Sequence, residues 1–204
     1  MCRRRPAASR GHVRQRHAAA DQPPLILIPG AFGSSLREKR TGSEIWPVSN
    51  ARLLFGNYRE LELPIDAATL EPDADSAEAY AVFREGLGRD FYGQVIDTLE
   101  RVGDYQRCRK GQPPQDRAAC SLYNFVYDFR LDNVRAARGL AELIQQVRAE
   151  HGDPGLKVDI LAHSNGGMVA RYFVRHGTRD WPPSGAIEPT YEGAAAVRRL
   201  LLIG

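Results

Sequence analysis

Ser164 is the side chain in this sequence whose surroundings most favour chemistry. Residues 158–168 read Val-Asp-Ile-Leu-Ala-His-Ser-Asn-Gly-Gly-Met, a pattern typical of a buried strand, a sharp turn and a helix that starts beyond the serine. A serine hydroxyl becomes an effective nucleophile only when a base removes its proton and N–H groups stabilise the negative charge that develops on the substrate. The segment therefore predicts a catalytic serine for acyl transfer, with an ordinary tight turn as the alternative.

The neighbours of Ser164 meet the steric needs of such a turn. Ala162 and Gly166, two residues before and after the serine, are small where the backbone is crowded. We expect the N–H of Asn165 and the N-terminal dipole of the following helix to face an oxyanion. His163 adjoins the serine in sequence, but its side chain should point away, so we interpret it as structural.

A second oxyanion donor is expected in the loop after an earlier strand. Residues 25–28 form a short apolar run, Leu-Ile-Leu-Ile, which is typical of a strand buried on both faces. Pro29 and Gly30 end it, and Gly30 should let the chain turn sharply. The N–H of Ala31 then becomes the candidate second donor of an oxyanion hole.

The elements that must position these groups alternate between strands and helices, which predicts a parallel sheet with helices on both faces. The helix over residues 91–102 has a predicted apolar stripe of Phe91, Val95, Leu99 and Val102, with Asp90 as its N-cap. Further helices are predicted over residues 134–150 and 166–176, and further strands over residues 122–129, 157–161 and 199–203. Residues 31–89 show no sustained period, so we expect an irregular insertion there that is functional or mobile.

Four motifs together resemble the lecithin:cholesterol acyltransferase-like lipases, over about residues 23–204. Residues 27–36 are similar to the family's oxyanion loop, and residues 162–167 to its serine turn, with Asn165 where Met or Leu is usual. Residues 127–130, Tyr-Asp-Phe-Arg, resemble its Tyr-Asp-Trp-Arg signature, and we expect Asp128 and Arg130 to bond each other or nearby backbone. Residues 44–47 resemble the start of its lid.

The resemblance implies an α/β-hydrolase fold and a serine-dependent lipid ester hydrolase or O-acyltransferase that works without a cofactor or metal. It implies that residues around Trp46 to Leu63, within a lid or insertion region at about 37–89, form a lid or lipid-contacting segment. It also implies that Phe32 and Trp46 contact substrate and that the protein touches membranes peripherally. Core packing is the alternative role for Trp46 and for the apolar run at residues 53–55. The alternative function is that of a non-catalytic hydrolase-like protein that binds lipid or a partner.

The base and acid of a serine triad are not found after Ser164 in the expected order, acid before histidine. His176 lies about 12 residues along the helix that starts at the serine, or ~18 Å away. We therefore expect residues 23–204 to be a partial domain, truncated at the C-terminal side, and the isolated chain to be inactive.

Charge and cysteine content leave the compartment open. The net charge is +3, and residues 1–20 carry six arginines and no acidic residue. Such a segment suits nucleic acid or an anionic membrane, but no aromatic residues are interspersed, so we expect a disordered basic tail over residues 1–22 and no nucleic-acid partner. It lacks the apolar stretch of a signal peptide. Cys108 and Cys120 are either a disulfide or two thiols.

Overall fold

The computed structural model describes residues 22–47, 59–86, 88–108, 119–182 and 185–204, with the side chain of Glu60 left aside. Within these ranges the chain forms the following strands and helices, in order: β1 (Leu25–Ile28), β2 (Ser34–Glu38), β3 (Glu44–Trp46), β4 (Ala77–Val82), β5 (Glu85–Gly86), β6 (Arg89–Asp90), α1 (Gly93–Arg101), β7 (Leu122–Asn124), α2 (Asn133–His151), β8 (Val158–His163), α3 (Asn165–His176) and β9 (Val197–Ile203).

The central sheet has four parallel strands in the order β7-β1-β8-β9. The predicted mixed α/β architecture with a parallel sheet is therefore confirmed. Because parallel strands end at the same edge, the loops after β1, β7 and β8 all lie at one edge of the sheet. The Ser164 turn and the loop that begins at Pro29 are two of these.

Helices cover both faces of this sheet, as the alternation predicts. Ile26 and Ile28 of β1 face a core shared with α2 and α3, whereas Leu25 and Leu27 face a second core with Ile96 of α1. All four β1 side chains are buried, which explains why the strand is apolar at every position rather than at alternate ones.

The second helix, α2, forms where its sequence predicts it. Asp132 caps it by accepting a hydrogen bond from the N–H of Arg135, and Gly152 ends it in the left-handed conformation with φ 65°. Its buried face consists of Ala136, Ala137, Leu140, Ile144 and Val147. The apolar residues at helical spacing in the sequence predict a stripe of Val134, Ala137, Leu140, Ile144 and Val147, and all of these but Val134 are buried.

The predicted stripe of α1 was wrong in phase. Phe91, Val95 and Val102 are exposed, while Tyr92 and Ile96 are buried. The helix turns this face inward because Tyr92 and Ile96 pack on Leu25 and Leu27 of β1. The N-cap is Tyr92, two positions after the predicted cap Asp90, yet the Asp90 carboxylate still accepts a hydrogen bond from the N–H of Gln94.

The predicted insertion is irregular only in part: residues 62–76 hold turns and a single bridge between Ile65 and Pro72, whereas strands form on either side of them. Strands β2, β3 and β4 form a separate antiparallel sheet in the order β3-β2-β4, and β5 and β6 form a short antiparallel pair. Leu36, Ile45 and Ala77 form the small core of the three-stranded sheet. The serine, glutamate and alanine residues of these strands do not give a clear alternation of apolar and polar positions. The sequence pattern therefore did not predict the strands.

Three further observations concern the chain outside this framework. Cys108 and Cys120 form a disulfide with a Cα–Cα distance of 5.2 Å. The basic tail lies outside the described residues up to residue 21, and Gln22 donates a hydrogen bond to the carbonyl of Gly103. No helix in the described ranges is long and apolar enough to cross a membrane.

Candidate active site

The register of the central sheet brings the loop after β1 against the serine turn. Ile28 pairs with Ala162, so that Pro29 and Gly30 continue beside His163 and Ser164. A Cβ atom on Gly30 would lie 2.9 Å from the Cβ of Ser164. Gly30 is therefore required for this close approach, and the left-handed residue of the turn is Phe32, with φ 62°.

Ser164 has an unusual backbone at the apex of its turn. Its φ is 51° and its ψ is −124°, a region that residues other than glycine rarely adopt. The residue is exposed, and its N–H donates to the carbonyl of Ile203 in β9 over 2.8 Å. The predicted order of strand, sharp turn and helix is confirmed, because Ser164 lies directly between β8 and α3.

The small residues beside Ser164 lie in crowded positions. A Cβ atom on Gly166 would lie 2.5 Å from the carbonyl oxygen of Pro29 and 2.7 Å from that of Ile28. Ala162 is fully buried in β8. The start of α3 can therefore cross the end of β1 only with glycine at position 166.

The two candidate oxyanion donors are the N–H groups of Ala31 and Asn165. Asn165 is the first residue of α3, and N–H groups of a first helical turn have no carbonyl partner within the helix. The N–H of Ala31 donates no hydrogen bond to another residue in the part of the chain that the structure describes. Both groups lie at the sheet edge that carries Ser164, and their role in binding an oxyanion stays a prediction.

Phe32 and Trp46 belong to an aromatic cluster beside this edge. The ring of Phe32 lies 5.2 Å from that of Trp46 and 4.7 Å from that of Phe129. The indole N–H of Trp46 donates to the carbonyl of Phe32 over 2.8 Å, while the Phe32 side chain is 50% exposed. Trp46 therefore packs against the loop after β1 and bonds it, whereas residues 53–55 lie outside the described residues.

No base accompanies Ser164 among the described residues. The described hydrogen bonds link no histidine or carboxylate to the Ser164 hydroxyl, and His163 Nδ1 lies 2.7 Å from the hydroxyl oxygen of Tyr92 instead. His176 is the last residue of α3, and His151 the last of α2. In the described ranges no group of three or more His, Cys, Asp or Glu side chains could hold a metal ion.

Asp128 and Arg130 form the buried ion pair that the sequence suggested. Arg130 Nη2 lies 2.7 Å from Asp128 Oδ2, and Arg130 Nε donates to the same carboxylate. Their side chains are only 7% and 8% exposed. Arg130 also donates to the carbonyl of Glu62, so this pair ties the loop after β7 to the insertion.

Two tyrosine hydroxyls contact the loop after β1, and sequence reasoning assigned them no such role. Burial raises the pKa of Tyr127 to about 12, although the amide that Asn165 donates to its oxygen favours the phenolate. Burial also raises the pKa of Tyr92, against the N–H that Gly30 donates to it. Both phenols are therefore protonated at neutral pH. No motif marks Tyr92, because its place follows from the phase of α1.

Comparison with known proteins gives remote similarity to solved structures and no match among family models or curated proteins. A solved structure of the Tle4-Tli4 complex contains a chain with 20% identity and a TM-score of 0.48. The similarity covers 76% of the present chain, which spans 43% of the length of that chain.

Proposed function

We propose that Ser164 is the nucleophile of an acyl-transfer site of the α/β-hydrolase type. The observation that carries this proposal is the backbone of Ser164, φ 51° and ψ −124°, at an exposed turn between a parallel strand and a helix N-terminus. Such strain is retained where surrounding structure enforces it, and it is common at reactive residues. The close approach of Gly30 and Gly166 supports the same reading, since both glycines serve to bring two loops against the serine.

The substrate class in this proposal is a lipid ester, with water or an alcohol as the acyl acceptor. The resemblance to lecithin:cholesterol acyltransferase-like lipases supports it, and so does the exposed aromatic surface that includes Phe32, in the loop that packs on the serine turn at Gly30. Phe32 and Phe91 are 50% and 44% exposed, and each contacts a further aromatic ring. An apolar surface next to a nucleophile suits an acyl chain better than a polar substrate.

A non-catalytic protein that binds lipid or a partner is the second candidate function. It is favoured by the lack of a base on Ser164 among the described residues. An acyl-transfer serine without its base retains little of its rate enhancement. We therefore expect the 204-residue chain to hydrolyse p-nitrophenyl esters at a negligible rate.

A test of the nucleophile must supply the missing base. The protein is treated with a fluorophosphonate in the presence and absence of added imidazole, which can accept the serine proton, and the modified serines are identified by peptide mass spectrometry. Ser43 is exposed and serves as the internal control. Ser164 should react at least about tenfold faster than Ser43 with imidazole, since positioned proton acceptors and oxyanion donors give such factors and more.

The two functions predict different results. Selective, imidazole-dependent modification of Ser164 that is lost in Ser164→Ala supports the acyl-transfer site. Modification of Ser164 no faster than that of Ser43 would reject it and favour the binding function.

A further inference from the structure

The peptide group between Pro29 and Gly30 is held at both of its polar atoms by tyrosine hydroxyls. The Tyr127 hydroxyl donates to the carbonyl oxygen of Pro29 over 3.0 Å, and the N–H of Gly30 donates to the Tyr92 hydroxyl oxygen over 2.7 Å. Both tyrosines are buried, with 6% and 7% exposure. Burial makes these bonds costly to lose, because a freed polar group would then have no water to bond.

Each tyrosine is held in turn by a neighbour of Ser164. The side-chain amide of Asn165 donates to the Tyr127 oxygen over 3.1 Å, and Tyr92 lies 2.7 Å from His163 Nδ1. Asn165 also exchanges amide hydrogen bonds with Asn133, the first residue of α2. The residues immediately before and after the serine thus both reach the loop after β1 through a tyrosine.

We propose that Tyr92, Tyr127, His163 and Asn165, together termed the tyrosine clamp, are positioning residues that fix the direction of the Ala31 N–H relative to Ser164. This inference rests on the proposed function for its catalytic meaning. Its structural content, the orientation of the loop after β1, can be measured separately.

The clamp acts at the residue where the loop has most freedom. Gly30 has no side chain and can rotate about its backbone bonds more freely than any other residue type. Its N–H is held by Tyr92, and its carbonyl accepts a hydrogen bond from the N–H of Gly33 over 3.0 Å. In a planar trans peptide the N–H of Ala31 points opposite to that carbonyl, so fixing Gly30 on both sides fixes Ala31.

The clamp also determines the tautomer of His163. The Tyr92 oxygen accepts the N–H of Gly30, and its own proton is then available to His163 Nδ1. The described hydrogen bonds give the Tyr92 hydroxyl no other acceptor. We therefore assign Nδ1 as the acceptor and place the ring proton on Nε2. This assignment gives the clamp a spectroscopic signature that does not depend on catalysis.

The experiment compares Tyr92→Phe and Tyr127→Phe with Tyr123→Phe. Tyr123 is an equally buried tyrosine whose hydroxyl bonds Glu150 and His151, at the end of α2 opposite to Asn133. The three variants each lose one buried hydroxyl, so that a general loss of stability appears in all three. Nitrogen-15 NMR reports the His163 tautomer and the hydrogen exchange of the Gly30 amide, and fluorophosphonate with imidazole reports the reactivity of Ser164.

We expect the Gly30 amide to exchange roughly tenfold faster in Tyr92→Phe than in Tyr123→Phe, and His163 to show the Nε2–H tautomer in the unmodified chain. Ser164 should react roughly tenfold more slowly in each clamp variant, a fraction of the effect of removing an oxyanion donor. The double variant should lose less than the product of the two factors, because both tyrosines hold one peptide.

Failure of the clamp and failure of the proposed function give different results. Unchanged Gly30 exchange in Tyr92→Phe would overturn the clamp whether or not Ser164 reacts. A proton on His163 Nδ1 would overturn the assigned direction of the bond between Tyr92 and His163. Equal Ser164 reactivity in all three variants, with Ser164 still selectively modified, would overturn its positioning role alone. Loss of selective Ser164 modification in the unaltered chain would reject the function, while the NMR signals would still test the clamp.

Discussion

Gly166 and Gly167 adjoin each other in the first turn of α3 but meet different surroundings. A Cβ atom on Gly166 would lie 2.5 Å from the backbone oxygen of Pro29, whereas one on Gly167 would meet nothing closer than a Leu202 methyl at 3.4 Å. Gly166→Ala should therefore lower the free energy of unfolding by about 1–3 kcal/mol through steric strain. Gly167→Ala should leave it unchanged or raise it by up to about 1 kcal/mol, because alanine favours helix.

Urea unfolding of the two alanine variants measures this contrast. The pair is matched, since both add one methyl group to the same helical turn. Equal stabilities of the two variants would mean that α3 does not cross β1 as closely as the distances indicate.

The phenol of Tyr127 should make stability fall at alkaline pH. Burial raises its pKa to about 12 from the ordinary value of 10.0. Below pH 10 both the folded and unfolded chains keep the proton, and between pH 10 and 12 only the folded chain does. The free energy of unfolding should thus decrease across this interval, by up to about 3 kcal/mol from this group.

Absorbance at the phenolate band, followed against pH, measures the ionisation of Tyr127. Tyr127→Phe should remove from the titration of the folded protein one tyrosine that ionises near pH 12. In concentrated urea, where the chain is unfolded, the remaining tyrosines should ionise near pH 10. If the folded variant and parent differ by a tyrosine that ionises near pH 10, Tyr127 is not buried as described.

At the residue scale, the sequence was informative where a residue type has a single steric explanation. Ser164 with small residues at positions 162 and 166 predicts a sharp turn, because larger side chains do not fit there. Tyr92 could not be identified in this way. A buried tyrosine is common, and its bond to Gly30 depends on how α1 lies on the sheet.

The disulfide between Cys108 and Cys120 should stabilise the region before β7. The bridge spans 12 residues, and closing a loop of this length stabilises the folded state by about 3 kcal/mol in the chain-entropy model. In a Cys2→Ser background, which removes the third cysteine, a reductant should lower the free energy of unfolding by this amount. Urea unfolding with and without reductant provides the measurement.

The matched control is Cys108→Ser in the same Cys2→Ser background. It lacks the bridge, so a reductant should not change its stability. If a reductant changes the free energy of unfolding of the disulfide-bonded chain as little as that of the control, the disulfide contributes nothing measurable to folding.

At the scale of elements, local signals predicted the helices and strands that carry their own pattern. α2 has a capping aspartate, an apolar stripe and a terminal glycine, and each of these acts within a few residues. No local signal determines which face of α1 is buried, because that face packs on Leu25, Leu27 and Val82 from distant strands. The pairing of β2 with β4 was missed for a related reason, since it joins residues that are 39 to 48 positions apart in sequence.

At the scale of the whole molecule, β9 is the outermost strand on one side of the central sheet. β9 pairs with β8 on one side, and its other side has no strand partner within the described ranges. Leu201, Leu202 and Ile203 are each about half exposed, which leaves apolar side chains on both faces of the strand. Exposed edges that are also apolar favour association between chains.

This edge should make the purified chain self-associate as its concentration rises. Leu201 and Ile203 lie two residues apart and therefore on one face of β9, so Leu201→Lys with Ile203→Lys places two charges on that face. We expect the double variant to shift the chain towards monomer in size-exclusion chromatography with light scattering. Ile203 can be replaced without loss of the Ser164 backbone bond, because that bond uses its carbonyl.

The control must add the same charge and remove the same kind of exposed surface elsewhere. Ile65 and Val102 are 60% and 68% exposed and lie outside the central sheet, so Ile65→Lys with Val102→Lys meets both needs. If this variant prevents association as well as the β9 variant does, net charge alone explains the effect. A parent chain that stays monomeric at every concentration would show that the exposed edge of β9 does not pair, and the unpaired strand would then be tolerated in water as it is.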